Sequence, residues 1–171
     1  WDWCIRSGDS AYGVNEKFGG PDPQSNGPCW CFSRMGQAEL ELRDGRRVYI
    51  AGEHEDYYDP DFYIYNDVVI VDGDAITVFG YPTNVFPPTD FHSATLVGSD
   101  IILIGNVGYP DDRRPGSTQM LRLDVESWSA SQVATKGEQP GWISKHTATL
   151  ADSGSAIIIT GGEIVGERML E

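Results

Sequence analysis

The chain has 171 residues, with 12 basic and 26 acidic side chains for a net charge of −14, and 40% of it is apolar. That is about one domain of chain with enough apolar content to bury a core, which argues against disorder. The acidity argues against nucleic acid and anionic membrane surfaces as partners. No apolar run reaches the roughly 18 residues of a membrane-spanning helix.

In chain order, residues 1–31 come first. "FGGPDPQSNGPCWC", from Phe18, is rich in Gly, Pro and Asn and reads as loop. The segment is expected to be irregular, either a cap or the remnant of a preceding unit. It holds Cys4, Cys29 and Cys31, the only cysteines. An odd, small number is not a disulfide framework, and Cys29-Trp30-Cys31 has no second pair with which to bind a metal. No N-x-S/T acceptor follows any asparagine. This fits a cytoplasmic setting.

Three segments then line up. They are "GQAELELRDGRRVYIAGE" from Gly36, "FHSATLVGSDIILIGNV" from Phe91 and "KHTATLADSGSAIIITGGE" from Lys145. Each passes Gln37, His92 or His146, then a short strand, a polar turn and a strongly apolar strand. The spacing is 55 residues from Gln37 to His92 and 54 from His92 to His146. "DVVIVDGDAITVF" and "LRLDVESWSASQV" supply a second strand pair in the first two segments. Each full repeat therefore holds four short strands, inner ones apolar and outer ones more alternating. Helix signals are nearly absent.

A four-stranded antiparallel unit recurring every ~50 residues is the signature of a propeller blade. "HSATLVGSDIILIG", "HTATLADSGSAIIITGG", the Trp128 that follows "MLRLDV", and the "GEQPGW" turn resemble the kelch-repeat family. The glycine pair of that family stands at Gly161-Gly162 and aligns with Gly52-Glu53 and Gly105-Asn106. The resemblance implies an all-β fold of two to three kelch-like blades, an incomplete β-propeller. Residues 32–90 form the first blade, 91–144 the second and 145–171 the start of a third. Closed propellers hold about four to eight blades, so the open array is expected to be covered by more of a longer chain, by a second copy, or by the segment Trp1–Trp30 folded back as a cap.

The densest chemistry lies in "GEHEDYYDPDFYIYND", Gly52 to Asp67, between the second and third strands of the first repeat. It lacks the central Gly of an EF-hand loop and the second His of a zincin helix. His92 and His146 recur in register, which points to scaffold roles. No nucleophile elbow, P-loop or dinucleotide fingerprint occurs. No catalytic residue, metal ligand or cofactor is therefore assigned. Loops on a rigid frame carry binding residues, and acid mixed with tyrosine suits an interface. Glu53, His54, Glu55, Asp56, Tyr57, Tyr58, Asp59 and Asp61 are the expected partner-binding residues. Tyr63 and Tyr65 are expected to pack inward. The expected function is a protein-interaction scaffold for a basic or polar partner. The alternative is an enzyme, or a carbohydrate or divalent-cation site, at the mouth of a completed propeller.

Overall fold

We describe a computed structural model of the protein over residues 1–19, 30–54 and 62–164. Two short helices open it, α1 (Asp2–Ser7) and α2 (Ala11–Phe18). The first repeat carries β1 (Ala38–Glu41), β2 (Arg47–Ile50), the small strands β3 (Glu53–His54) and β4 (Tyr63–Ile64), then β5 (Asp67–Asp72) and β6 (Ala75–Gly80). The second carries β7 (Ser93–Val97), β8 (Asp100–Ile104), β9 (Met120–Asp124) and β10 (Ala130–Gln132). Then come β11 (Ile143–Ser144), β12 (Thr147–Leu150), β13 (Ile157–Thr160) and β14 (Glu163–Ile164).

The molecule is mostly β, and every pairing is antiparallel. Two four-stranded sheets have the orders β1-β2-β5-β6 and β10-β9-β8-β7, so each runs through its strands in sequence order. The strands expected to be inner are inner. β2 and β5 sit at the centre of the first sheet, β8 and β9 at the centre of the second.

The core lies between these sheets. Val48, Ile50, Val68 and Ile70 of the first pack with Ile101, Leu103, Leu121 and Leu123 of the second, all buried. Alternate residues supply these contacts because strand side chains point to opposite faces in turn. Phe86 and Trp128 fill the rest of the cluster. Trp128 stacks on Phe79 at 6.0 Å, and its carbonyl accepts from the Tyr81 hydroxyl at 2.7 Å. Truncating one of these buried aliphatics to Ala would cost about 2–5 kcal/mol.

The repeats are also joined by backbone. Gly36, Phe91 and Lys145 all have left-handed φ, at 60°, 47° and 55°. The Phe91 N–H donates to Gly36 O at 2.9 Å, and the Lys145 N–H donates to Phe91 O at 2.8 Å. Only the first of the three is a glycine, so the other two carry strain. At Gly36 a side chain has no room: a Cβ would lie 2.5 Å from Phe91 N.

This ladder corrects the alignment of the first repeat by one residue. Ala51 N donates to Asp67 O as Gly105 N donates to Gln119 O. Gly52 N donates to Thr89 O as Asn106 N donates to Ile143 O. The pair that matches Gly105-Asn106 is therefore Ala51-Gly52, not Gly52-Glu53. Ala51 and Gly52 have φ of 51° and 91°, close to the 66° and 95° of Gly161 and Gly162. The first repeat has one residue more between its left-handed residue and this pair, 15 positions from Gly36 to Ala51 against 14 from Phe91 to Gly105, and Ala38 opposite Ile50 matches Ser93 opposite Ile104.

The irregular reading of residues 1–31 is corrected at Asp2–Ser7 and Ala11–Phe18, which are helical. Ser10 caps α2 by accepting from Gly13 N, and Gly8 and Gly19 end the two helices in left-handed conformation. Asp2 and Arg6 pair one turn apart in α1. Helices of this length are marginal alone, and packing holds them: Cys4, Ile5, Ala11 and Val14 are buried. Arg6 ties the segment to the β5–β6 turn through Asp74 O at 2.7 Å.

Candidate functional site

The acidic stretch stands on a built stem. β3 pairs with β4, Glu53 opposite Ile64 and His54 opposite Tyr63. Main-chain bonds in both directions join Glu53 to Met35, at 2.8 and 2.9 Å. Tyr65 N donates to Gly52 O at 2.9 Å below the hairpin. Glu53 is only 6% exposed, which places it in the base of the stem and withdraws it from the outer surface. His54 is half-buried and borders a cleft of about 300 Å³ with Tyr12, Ser33 and Met35. Glu55, Asp56, Tyr57, Tyr58, Asp59 and Asp61 lie outside the described residues.

A residue of the second repeat clamps this stem. The Tyr109 hydroxyl accepts the Ile64 N–H at 2.9 Å, and the Tyr109 ring meets Phe62 edge-on at 5.7 Å. Tyr109 belongs to the connection between β8 and β9, the counterpart of the acidic stretch. Burial raises the Tyr109 hydroxyl pKa, so it stays a neutral donor and acceptor. The equivalent loops of two repeats thus meet on one side of the molecule. Phe62 and Tyr63 remain 38% exposed there, so Tyr63 does not pack inward as expected, while Tyr65 is buried.

Beneath the stem lies a buried ion pair. The Arg34 guanidinium, with its side chain fully buried, grips both oxygens of Asp67, the second at 2.9 Å. Arg34 also donates to Cys31 O at 2.8 Å and Ala51 O at 3.1 Å. Its guanidinium lies 3.5 Å from the Tyr65 ring centroid. Trp30 Nε1 donates to Asp67 at 2.8 Å. Trp30, Tyr63 and Tyr65 line a cleft with Asp67, a constellation that would suit a ligand cation. Arg34 already neutralises the carboxylate and covers the Tyr65 ring, so this is an anchor between residues 30–34 and the first sheet.

The second loop is pinned from below. Asp90 is fully buried, and its Oδ1 accepts from Val107 N at 3.1 Å and Gly108 N at 2.7 Å. Arg113 donates to the carbonyls of Val107 and Gly108. Trp142 Nε1 also donates to Val107 O, at 3.0 Å. Beside this loop is a polar cleft of about 640 Å³ bordered by Asn106, Tyr109, Gln119, Gln132 and Trp142. Amides beside aromatics suit a sugar, but two of these amides are already committed. Asn106 Oδ1 accepts from Asp90 N, its Nδ2 donates to Pro88 O, and Gln119 Nε2 donates to Thr89 Oγ1.

His92 and His146 stand immediately before β7 and β12. Both are buried. His146 Nε2 and the Ser93 hydroxyl are 2.8 Å apart, joining the second and third repeats. Neither His92 nitrogen finds a hydrogen-bond partner among the described residues. Burial, aided by the nearby His146, pushes the His92 pKa down to about 3; burial also lowers that of His146. Among the described residues, no three His, Cys, Asp or Glu side chains gather as a metal site. No described helix is long and apolar enough to cross a membrane.

Sequence reasoning missed Arg34, Asp90 and Tyr109. Asp90 and Tyr109 gave a faint signal as a lone acid before a repeat boundary and a lone aromatic in a polar loop. Arg34 gave none. Comparison of the chain with protein-family models and with curated proteins gave no match.

Proposed function

We propose that the chain is a kelch-like repeat scaffold whose consecutive sheets are propeller blades, and that its strand-connecting loops bind a protein partner. The partner surface is basic or polar, to complement a chain of −14 and a loop dense in carboxylates. One observation carries this reading. Corresponding loops of two successive repeats are brought together by Tyr109, with aromatic rings left partly exposed beside the acidic segment. A rigid frame presenting adjacent loops is how binding surfaces are assembled.

The rival reading, an enzyme or sugar site, draws on the amide-bordered cleft. Its Asn106 and Gln119 already serve the fold, and this favours the scaffold.

Replacing Glu55, Asp56, Asp59 and Asp61 with Gln and Asn tests the proposal. Crosslinking capture at low and high salt would compare this variant with the unaltered chain. The variant is expected to lose the salt-sensitive partner while its thermal midpoint stays nearly unchanged. Tyr109→Phe, which leaves every charge in place, should weaken the same capture. A partner retained by both variants would overturn the reading. A collapse of stability in the acidic variant, reproduced by chelator, would make the loop a structural cation site instead.

A further inference from the structure

The five residues Thr89–Ser93 tie the three repeats to one another and to both loops of the candidate site. Thr89 O accepts from Gly52 N at 2.9 Å and Thr89 N donates to Tyr65 O at 3.0 Å, at the base of the acidic stem. Asp90 holds the β8–β9 loop through Val107 N and Gly108 N. Phe91 bonds Gly36 of the first repeat and Lys145 of the third. The Ser93 hydroxyl meets His146 Nε2. His92 is buried in the middle of this segment, and among the described residues its ring makes no hydrogen bond.

The registers explain why. His146 precedes β12 as His92 precedes β7, and it reaches the Ser93 hydroxyl of the repeat before it. Ser93 stands opposite Ile104 and Ala38 stands opposite Ile50, so the first repeat has Ala38 in Ser93's place. Alanine has no hydroxyl to offer. Left neutral, the unpartnered ring is tolerated; protonated, it would be a buried cation without a counter-charge. The groups around it supply none. His146, from the third repeat, acts on it with charge of the same sign. The Lys145 ammonium lies over the Phe91 ring at 5.4 Å and pairs with Glu163. Asp90 and Arg113 are the other charged groups of the segment's surroundings, and both engage the Val107–Gly108 backbone.

We propose that Thr89–Ser93 is an acid-released latch: protonation of His92 frees this segment from the seam between the first and second repeats and loosens both loops that it holds. The ring takes up a proton when the seam has opened and water reaches it. It then titrates near 6.5, against about 3 in the closed seam. The open seam therefore binds the proton first, and acid favours it. Its population rises about 25-fold between pH 7 and pH 5. This deepens the loop-binding reading and rests on it for the consequence, release of a partner in mild acid. The latch itself is observable without a partner.

The test is hydrogen exchange on the full chain, read as protection factors from pH 7 to pH 5. The reporters are the amides of Gly52, Ile64, Thr89, Phe91, Val107 and Gly108, all bonded through the latch or the loops it holds. Their protection is expected to fall about 25-fold over this range, while the amides of β8 and β9 lose much less. His92→Gln, which copies Gln37 of the first repeat, should remove most of that fall. Ala38→Ser, which supplies the hydroxyl found at Ser93, should raise reporter protection at pH 7 several-fold, and it carries the test if His92→Gln does not fold. A fall unchanged in His92→Gln, or one that disappears only in His146→Gln, would overturn the proposal. So would equal losses in β8 and β9, the mark of acid unfolding the whole chain, or reporter protection unmoved by Ala38→Ser. No partner enters the measurement, so its failure is distinct from a failure of partner capture.

Discussion

Asp67→Asn should destabilise the protein strongly. The substitution keeps size and removes one charge. Arg34 then remains with its side chain fully buried and no carboxylate, since Asp67 is its only ion-pair partner among the described residues. Its bonds to the Cys31 and Ala51 carbonyls persist, and so does the Tyr65 ring below it. None of these carries a full negative charge. Removing one member of a buried pair costs about 3–5 kcal/mol, because the desolvated partner is left uncompensated. Trp30 Nε1 keeps an acceptor in the Asn carbonyl, so the loss is electrostatic. Against a domain stability of about 5–15 kcal/mol this is a large fraction. Urea unfolding should show the midpoint falling with the slope unchanged. The double variant Arg34→Met, Asp67→Leu should recover much of the loss, since an apolar pair of similar volume avoids the buried charge. A loss under about 1 kcal/mol for Asp67→Asn would refute the buried-pair argument, as would a double variant no better than the single one.

Two further outcomes follow from the repeat junctions. His92 titrates near 6.5 when unfolded and is held down at about 3 in the fold. The unfolded chain therefore binds the proton first, and the stability His92 contributes is present above pH 6.5 and lost as pH falls toward 3. Between pH 6.5 and 5 the loss approaches about 2 kcal/mol, and urea midpoints across that range should flatten in His92→Gln while its stability at pH 7 is nearly kept. Gly36→Ala combines positive φ with a Cβ 2.5 Å from Phe91 N, whereas Gly45, also at positive φ, meets nothing within 4 Å. Gly36→Ala should cost about 2 kcal/mol or more and Gly45→Ala about 1; equal thermal shifts would mean that the Gly36–Phe91 step gives way without cost.

β5 and β8 were legible because each is a run of aliphatics, and burial on both faces demands that pattern, whereas inner β9 alternates, with Arg122 exposed between the buried Leu121 and Leu123. "VYI", "VVIV" and "IILI" announced β2, β5 and β8, and the turns Asp72-Gly73 and Gly98-Ser99 bounded them. The helices were not legible because α1 and α2 are too short for a periodic face to emerge. Their caps, Ser10 with Gly8 and Gly19, were visible but lay beside a Gly- and Pro-rich run that masked them. The register error at Gly52 had a similar cause. A glycine was matched to a glycine, but the backbone there asks for two successive left-handed residues, and Ala51 takes the first of them.

The location of the acidic stretch was legible for the same reason as the strands, since it interrupts a pattern that resumes at Asp67. Its support was not. Arg34 and Asp67 are 33 positions apart, and Ile64 and Tyr109 are 45 apart. Nothing local in either sequence encodes such a pair. Both exist because β5 returns beside β2 and because the second repeat is laid against the first. The clamp on the loop is thus a product of stacking. An isolated first repeat would keep the β3–β4 stem but lose the Tyr109 hydroxyl that holds Ile64 N–H and the ring that meets Phe62. The geometry of the stem at Phe62 and Ile64 therefore belongs to a pair of repeats.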